Sequence, residues 1–208
     1  MAEKSTNLES ALTPFLPGGS VNSVCNLLRL YPHDLVITKG RVTKHGDFRY
    51  SPGERYKITV NHNLNRYAFL ITLIHEMAHL VCHTKFGTRV KPHGLEWKGC
   101  FKELMTPFLT TAILPLDIQE ALKNYLSNPA ASTCSDIELY KVLAQYDRNS
   151  NVNIVLVDDL KDGDEFLYGK NKQHFIRKEK RRTRIICVEK KTGVEYLFPS
   201  VSKVYKLT

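Results

Sequence analysis

The residues best suited to chemistry lie in one short pattern, His-Glu-x-x-His, formed by His75, Glu76 and His79. On a helix the two histidines stand one turn apart, about 6 Å along the axis, so both imidazoles can bind one metal ion at about 2.0 to 2.1 Å. A carboxylate between them can take a proton from an activated water as that water attacks a carbonyl group. The pattern therefore predicts a zinc site with Glu76 as the general base.

The segment that carries this pattern is apolar on every side except one. Residues 67–82 are otherwise apolar and lie within the predicted motif helix, and Thr72 and His83 extend the polar stripe of the motif residues along one face of it. Buried ionisable groups without partners would cost several kcal/mol, and a divalent metal with its water would remove that cost. The alternative is a buried helix whose histidines only make polar contacts in the core.

A catalytic zinc site needs a third protein ligand, and His93 is the residue that we favour. It follows Gly87, which is suited to end the motif helix. The turn-rich connection over residues 88–94 can then bring the chain back over the polar stripe.

Other residues remain as alternatives for this third position. His83 lies about 12 Å along the helix axis from His75, so ligation by both would be strained, and a substrate-facing or surface position is expected. Glu96 and Glu103, on the next helical stretch, are possible carboxylate ligands whose more ordinary role is solvated helix surface. His83 and Arg89 are also candidates for stabilising an oxyanion.

Two stretches around these residues resemble the SprT-like, or Spartan-type, zinc metallopeptidase family. They are Leu73-Ile74-His75-Glu76-Met77-Ala78-His79 and His93-Gly94-Leu95-Glu96-Trp97-Lys98, and the strand expected at Tyr56–Asn61 before the motif helix is also similar. The resemblance covers residues 20 to 110, roughly. It implies a zincin-like domain that holds one Zn²⁺ ion on His75, His79 and His93, with Glu76 as the catalytic base.

The resemblance also implies a class of partner. Spartan-type members are DNA-dependent proteases that cut proteins crosslinked to DNA. A protein substrate is therefore expected, with DNA as a further partner.

The cysteines depart from the family pattern. Many SprT-like proteins carry a zinc ribbon built from two Cys pairs, whereas no Cys-x-x-Cys occurs here. The cysteines are scattered and odd in number, which excludes a ribbon and a full disulfide framework: Cys25, Cys82, Cys100, Cys134 and Cys187. Isolated cysteines are typical of small buried apolar residues in a reducing compartment.

The composition is that of an ordinary globular protein. The chain has 208 residues, 42% of them hydrophobic, which is enough for one good core and a small second unit. It has no apolar run long enough to cross a membrane, and residues 1–7 lack the apolar region of a signal peptide. We therefore expect a cytoplasmic protein with no membrane partner.

Periodicity predicts an α+β metallopeptidase domain over residues 1–130. Helices are expected at residues 8–16, 21–31, 65–83, 95–109 and 116–126, with Ser20 as a cap of the second. Strands are expected at residues 35–38 and 58–60, and a third within residues 42–52, where Gly46-Asp47 would form a turn. The loop-forming residues 128–132 would end this domain.

Residues 131–208 are predicted to form a small β-rich domain. A short helix opens it, with Ser135 and Glu138 in capping-box spacing. The period then changes to two, and short strands are expected at residues 152–157, 165–168, 174–177, 184–188, 194–198 and 204–207. Their spacing favours a β-meander or a small barrel-like domain.

Positive charge is concentrated in this second domain. Residues 170–191 contain ten basic residues against two acidic ones, while the whole chain has a net charge of +9. Candidate nucleic-acid-binding residues are Lys178, Lys180, Arg181, Arg182 and Arg184, which are suited to follow a phosphate backbone. The alternative is a solvated hairpin whose charges protect an edge strand, and the acidic residues between 158 and 165 could attract the same charges.

The motif and the resemblance favour a zinc-dependent endopeptidase acting on DNA-associated proteins. One rival is a non-enzymatic nucleic-acid-binding protein with a structural zinc, which would close the site with four protein ligands. A second rival is a zinc hydrolase of small molecules, which would have a narrow pocket in place of an extended cleft.

Overall fold

The computed structural model describes residues 2–41, 44–127, 129, 136–147, 154–182 and 184–207. The chain divides into two compact units, Met1–Asp147 and Arg148–Thr208. Each unit has its own hydrophobic core. The first combines helices with a small sheet and the second is built on a larger sheet, so the predicted α+β class is confirmed.

The first unit contains all five helices that the periodicity predicts, together with a sixth. The helices are α1 (Ala2–Leu12), α2 (Val21–Leu30), α3 (Arg66–Phe86), α4 (Leu95–Met105), α5 (Leu116–Ser127) and α6 (Ile137–Ala144). The strands are β1 (His33–Thr38), β2 (Gly46–Arg49) and β3 (Tyr56–Asn61). The largest difference is in α1, which begins earlier than the expected residue 8 and ends before residue 16.

β3 is the middle strand of the first sheet, parallel to β1 and antiparallel to β2. The predicted turn at Gly46-Asp47 is wrong, because both residues belong to β2, where Gly46 pairs with Val60. Asn61 at the end of β3 binds the chain just before β2. Its side-chain amide donates to the Lys44 carbonyl at 2.8 Å, and its backbone N–H donates to the His45 carbonyl at 2.9 Å.

α3 runs through the core of the first unit. Asn65 caps its start by accepting a hydrogen bond from the Ala68 N–H at 2.9 Å. Gly87 ends it in a left-handed conformation with φ of 72°, as predicted, and donates its N–H to the His83 carbonyl. Because 14 of its 21 residues are buried, the helix carries its ionisable groups into the protein interior.

α6 belongs to the first unit, which therefore extends past the predicted boundary at residue 130. Leu139 and Leu143 are buried in the first core. The side-chain amide of Asn65 donates to the Leu143 carbonyl and to Asp147 Oδ1, both at 2.8 Å. These contacts tie the start of α3 to the end of α6, so the helix assigned by sequence to the second domain packs with the first.

Two helix caps differ in detail from the prediction. Ser20 makes no cap for α2, because its hydroxyl donates to the Pro17 carbonyl at 2.7 Å within a 3₁₀ turn that leads directly into the helix. Ser135 of the predicted capping box lies outside the described residues. Asp136 caps α6 by accepting from the Leu139 N–H at 2.9 Å.

The second unit contains six described strands, and every neighbouring pair is antiparallel. They are β4 (Ile154–Leu156), β5 (Glu165–Tyr168), β6 (Gln173–Arg181), β7 (Arg184–Glu189), β8 (Glu195–Pro199) and β9 (Lys203–Lys206), in the order β4-β9-β5-β6-β7-β8. The predicted meander is present in β5 to β8. Alternate residues face a core that includes Phe166, Phe175, Ile185 and Phe198.

Two expectations from composition can be compared with the structure. Cys25, Cys82, Cys100 and Cys187 are buried free thiols, as predicted for small core residues, and Cys134 lies outside the described residues. Within the described parts of the chain, none of the helices combines the length and apolar character that crossing a bilayer requires.

Candidate metal centre

Three imidazole nitrogens meet beside α3. His75 and His79 lie one turn apart on that helix, and His93 lies in the connection to α4. The Nε2 atom of His93 is 2.9 Å from Nε2 of His79 and 3.3 Å from Nε2 of His75. The structure thus brings the three predicted ligands together, in a group that could hold a metal ion.

The donor set fits a divalent transition metal. Nitrogen atoms bound at about 2.0 to 2.1 Å to a tetrahedral ion lie roughly 3.3 Å apart. The two Nε2 separations of 2.9 and 3.3 Å are close to that spacing. Three imidazoles are also a ligand set of catalytic zinc sites, which keep a fourth position for water or substrate.

His93 reaches the site because the chain makes a tight turn before α4. The His93 backbone has a φ of 60°, a left-handed conformation that residues other than glycine rarely adopt. The Gly94 N–H donates to the Lys91 carbonyl at 2.9 Å, and a Cβ atom at Gly94 would lie 2.9 Å from that same oxygen. The turn therefore has no room for a larger residue at position 94.

Trp97 forms an apolar wall against all three histidines. Its ring centroid lies 4.6 Å from those of His75 and His93 and 5.1 Å from that of His79. The indole is 1% exposed and stacks on Phe101 at 5.2 Å. Because a rigid packed ring restricts the imidazole rotamers, Trp97 fixes the geometry of the group.

Burial keeps the imidazoles neutral. Desolvation, with a smaller effect from the neighbouring imidazoles, lowers the pKa of His75 to about 2 and that of His79 to about 4. Desolvation also lowers the pKa of His93. The three rings are therefore in the neutral form that binds metal at pH 7.

Glu76 is 7% exposed and lies against β2. Its carboxylate accepts a hydrogen bond from the Phe48 backbone N–H. A Cβ atom at Gly46 would lie 2.5 Å from Oε1 of Glu76, so only glycine leaves room for the carboxylate. Burial, followed by the charge of Asp47, raises the pKa of Glu76 to about 8, which brings proton exchange close to neutral pH.

An ionic cluster around Asp47 sets the charge next to Glu76. Lys44 Nζ and Arg49 Nε donate to the two carboxylate oxygens of Asp47 at 2.7 and 2.6 Å. Burial opposes ionisation of Asp47, and the two hydrogen bonds outweigh it and hold the pKa of this carboxyl below its usual value. Asp47 therefore stays ionised, and its negative charge raises the pKa of Glu76. The positive charges of Arg41 and Lys44 lower that pKa.

The alternative ligands lie outside the histidine group. Glu103 accepts from Lys85 Nζ at 3.2 Å, and Glu96 is exposed. His83 lies among aromatic rings, with its Nδ1 atom 3.1 Å from the Tyr56 hydroxyl. The structure thus separates His83 from the three convergent imidazoles, although His83 lies on the same helix as His75 and His79.

The five candidate nucleic-acid-binding residues are exposed on β6, β7 and the turn between them: Lys178, Lys180, Arg181, Arg182 and Arg184. Lys180 pairs with Asp158 at 2.5 Å, and Arg181 Nε lies 3.7 Å from the Glu179 carboxylate. Acidic side chains, including Asp158 of the acidic residues between 158 and 165, therefore neutralise part of the positive charge of the hairpin, as the sequence suggested.

The side chains that β2 contributes to the site are missing from the sequence-based prediction. Phe48 in β2 and Tyr50 just after β2 alternate with Arg49, and this period of two was the available signal that the two rings lie on the same side of the chain. The approach of Gly46 to Glu76 depends on how β2 packs against α3, which no local pattern encodes.

The candidate metal centre thus combines two imidazoles one helical turn apart, a third from the following turn and a buried glutamate on the same helix. Residues 30–120, which contain the whole centre, match the model of the SprT-like family. This segment is less than half of the chain, and over it the chain is similar to the SprT-like family.

Curated relatives match over shorter stretches. Protein SprT of Pseudomonas fluorescens (strain Pf0-1) is 40% identical over 50 residues, which are 24% of this chain and 27% of that protein. Protein SprT of Pseudomonas paraeruginosa (strain DSM 24068 / PA7) is 54% identical over 35 residues, which are 16% of this chain and 21% of that protein. The chain thus spans little more than a quarter of the first relative and less of the second. No solved structure matches.

Replacing Gly46 with alanine should displace Glu76 and leave the histidines in place. The new methyl group would lie 2.5 Å from Glu76 Oε1 and 2.8 Å from Thr72 Cγ2, so the carboxylate must move. We expect metal stoichiometry like that of the unchanged protein and a roughly tenfold or greater loss of the hydrolytic activity that is proposed below. The matched control is Gly99→Ala on α4, where a Cβ atom meets nothing within 4 Å. Full activity of Gly46→Ala would show that this close approach does not position Glu76.

The metal-free protein should become less stable as the pH falls below about 6.5. An unfolded histidine has a pKa of about 6.5, whereas folded His75 and His79 stay neutral down to about 2 and about 4. The unfolded state therefore binds the additional protons, and stability is lost as the pH drops from 6.5 toward 4. Glu76 acts in the opposite sense, because its raised pKa favours the folded state at low pH and this contribution is lost as the pH rises through about 8.

Urea unfolding in the presence of a chelator, at pH values from 7 to 5, measures this dependence. Two histidines outweigh one glutamate, so the midpoint should fall with acidification. His75→Gln should weaken the dependence, whereas His62→Gln, at an exposed histidine, should leave it unchanged. A midpoint that does not vary over this range would contradict the neutral, buried state of the ligands.

Proposed function

We propose that the first unit is a zinc-dependent endopeptidase with a zincin-like site. The observation that carries the proposal is the convergence of the Nε2 atoms of His75, His79 and His93 beside the buried carboxyl of Glu76. In this proposal the three histidines bind zinc and Glu76 is the general base.

A bound zinc ion would polarise the scissile carbonyl, lower the pKa of water to about 7 and favour the ionised form of Glu76. The proton transfers belong to the chain. Glu76 takes the proton that the attacking water loses and delivers it to the leaving amide nitrogen. The Phe48 N–H and the lack of a side chain at Gly46 hold the carboxylate in place, while Trp97 excludes water from one side of the imidazoles.

The sheet edge favours a peptide as substrate. β2 is an edge strand of the described sheet, and its Phe48 N–H faces Glu76. An extended peptide can add to a strand edge through main-chain hydrogen bonds. Such binding would bring successive peptide carbonyls past the catalytic carboxyl, which is an arrangement that a hydrolase of small molecules does not need.

The number of histidines argues against a purely structural zinc. Structural sites are almost always closed by four protein ligands, whereas catalytic sites use three. Among the described residues, three side chains form the group. The buried glutamate next to them also has a role in catalysis and none in a closed structural site.

Replacing Glu76 with glutamine should preserve zinc and abolish turnover. The amide fills the same space but cannot accept the proton of the attacking water, so activity should fall by a factor of about 10² to 10⁴. His79→Ala should lose both zinc and activity, because it removes a ligand. Zinc analysis and hydrolysis of an unstructured protein measure the two effects, with Glu103→Gln at an exposed carboxylate as the control. An active Glu76→Gln variant would refute the assignment.

We also propose that the second unit binds nucleic acid and thereby directs the peptidase to DNA-associated proteins. Lys178, Arg182 and Arg184 are exposed and have no ion-pair partner among the residues that the structure describes. Unpaired cations on one hairpin are suited to follow a phosphate backbone without reading sequence.

Substituting Lys178, Arg182 and Arg184 together with alanine should weaken binding to a single-stranded oligonucleotide. Because each phosphate contact contributes about 0.7 to the salt dependence of binding on single strands, the slope of log K against log salt should fall by roughly 2. Fluorescence anisotropy at several salt concentrations measures both quantities. Lys191→Ala, an exposed lysine of the same unit, is the control. An unchanged affinity and an unchanged salt slope would contradict nucleic-acid binding by these residues and favour the alternative, a solvated hairpin that protects an edge strand.

A further inference from the structure

A continuous set of aromatic rings leads away from the candidate metal centre. We call it the aromatic shelf, and it consists of Phe48, Tyr50, Tyr56 and His83. The Phe48 ring is nearly parallel to that of His79, with an interplanar angle of 9° and centroids 6.1 Å apart. The shelf therefore begins at one of the three convergent imidazoles.

The shelf is held together by ring contacts and one hydrogen bond. Tyr56 lies 5.8 Å from Phe48 and 5.7 Å from Tyr50, measured between ring centroids. His83 is 4.2 Å from Tyr50, and its Nδ1 atom is 3.1 Å from the Tyr56 hydroxyl. Each ring is thus fixed by at least two others, so the surface is organised before any ligand binds.

The antiparallel register explains why these rings share a face. Phe48 pairs with Ile58 across β2 and β3, and residues two apart on a strand lie on the same side. The side chains of residues 48, 50 and 56 therefore face α3, on which His83 lies one turn after His79.

Tyr50 is the exposed ring of the shelf. Phe48, Tyr56 and His83 are half-buried, whereas Tyr50 is 42% exposed. Tyr50 stands just after the end of the edge strand β2, next to the strand edge that we propose a peptide would follow. Its ring is therefore the accessible end of a surface that is otherwise packed.

We propose that the aromatic shelf is a specificity subsite that takes an aromatic side chain of the substrate, within two residues of the scissile bond, and that Tyr50 is its specificity-determining residue. This inference rests on the proposed peptidase function. Residues of an extended peptide rise by about 3.3 Å each, so a side chain one or two positions from a carbonyl at the metal centre reaches ring surfaces at this range. An aromatic side chain there gains apolar burial and edge-to-face or offset stacking against Tyr50 and His83.

The first measurement is the cleavage profile of a mixed peptide library with the full, zinc-loaded chain. The second is kcat/KM for two matched peptides that differ only in having Phe or Ala at the preferred position. The variants are Tyr50→Ala, Tyr50→Phe and Tyr205→Ala, the last being a tyrosine of similar exposure (43%) in the second unit. We expect the Phe-over-Ala ratio to fall roughly five- to tenfold in Tyr50→Ala and to be kept in the two controls. The zinc stoichiometry should not change in any variant, and Tyr205→Ala should cleave both peptides as the unchanged chain does.

The outcomes separate the two proposals. A library profile without aromatic preference, or a ratio that Tyr50→Ala leaves intact, overturns the subsite and leaves the peptidase standing. Absence of any zinc-dependent cleavage by the unchanged chain overturns the peptidase itself. Competition by a single-stranded oligonucleotide that Tyr50→Ala abolishes would reassign the shelf to nucleobases and overturn the peptide subsite. If Tyr50→Ala fails to fold, Tyr50→Leu, which keeps most of the side-chain volume, must show the same loss of ratio.

Discussion

The constraint on which the first unit depends is the burial of His75 and Glu76 on a helix that is otherwise apolar. A long buried helix supplies a rigid base for the site, and it also removes water from every group that it carries. The neutral imidazoles and the raised pKa of Glu76 follow from that single placement. Contacts with neighbouring residues take the place of contacts with water. Trp97 packs against the imidazole rings, and the backbone of β2 donates a hydrogen bond to the carboxyl group of Glu76.

The part of the site that the sequence predicts is the part encoded by local spacing. The i, i+4 histidines, the Gly87 helix end and the turn before α4 depend on neighbours in the chain, and His93 accordingly lies where the turn-rich segment suggested. The contribution of β2 depends on tertiary packing, because Gly46-Asp47 has turn-like composition and becomes a strand only through pairing with β3. Tertiary contacts also place α6 in the first unit, because the Asn65 side chain forms hydrogen bonds with residues at and after the end of α6 that are far from it in sequence.

The predicted strands of the second unit are present, although burial alternates only in the first half of β6 and β7 has three consecutive buried residues. Its electrostatics were less predictable. The net charge of the hairpin comes from the sequence, yet the pairing of Lys180 with Asp158 and of Lys190 with Glu165 is set by the fold. The number of cations left for a partner is therefore smaller than the composition suggests.

The core of the first unit is shared by segments that carry none of its chemistry. Leu16 and Val24 precede the family match, Leu126 and Leu139 follow it, and all four are buried with the apolar residues of α3. A fragment cut to the matched residues alone would expose that apolar surface to water and lose the anchor between Asn65 and α6. The smallest piece able to fold independently is thus larger than the recognisable family segment. Sequence change in the flanking helices can therefore alter the candidate metal centre by loosening the scaffold, without touching any of the residues that form the centre.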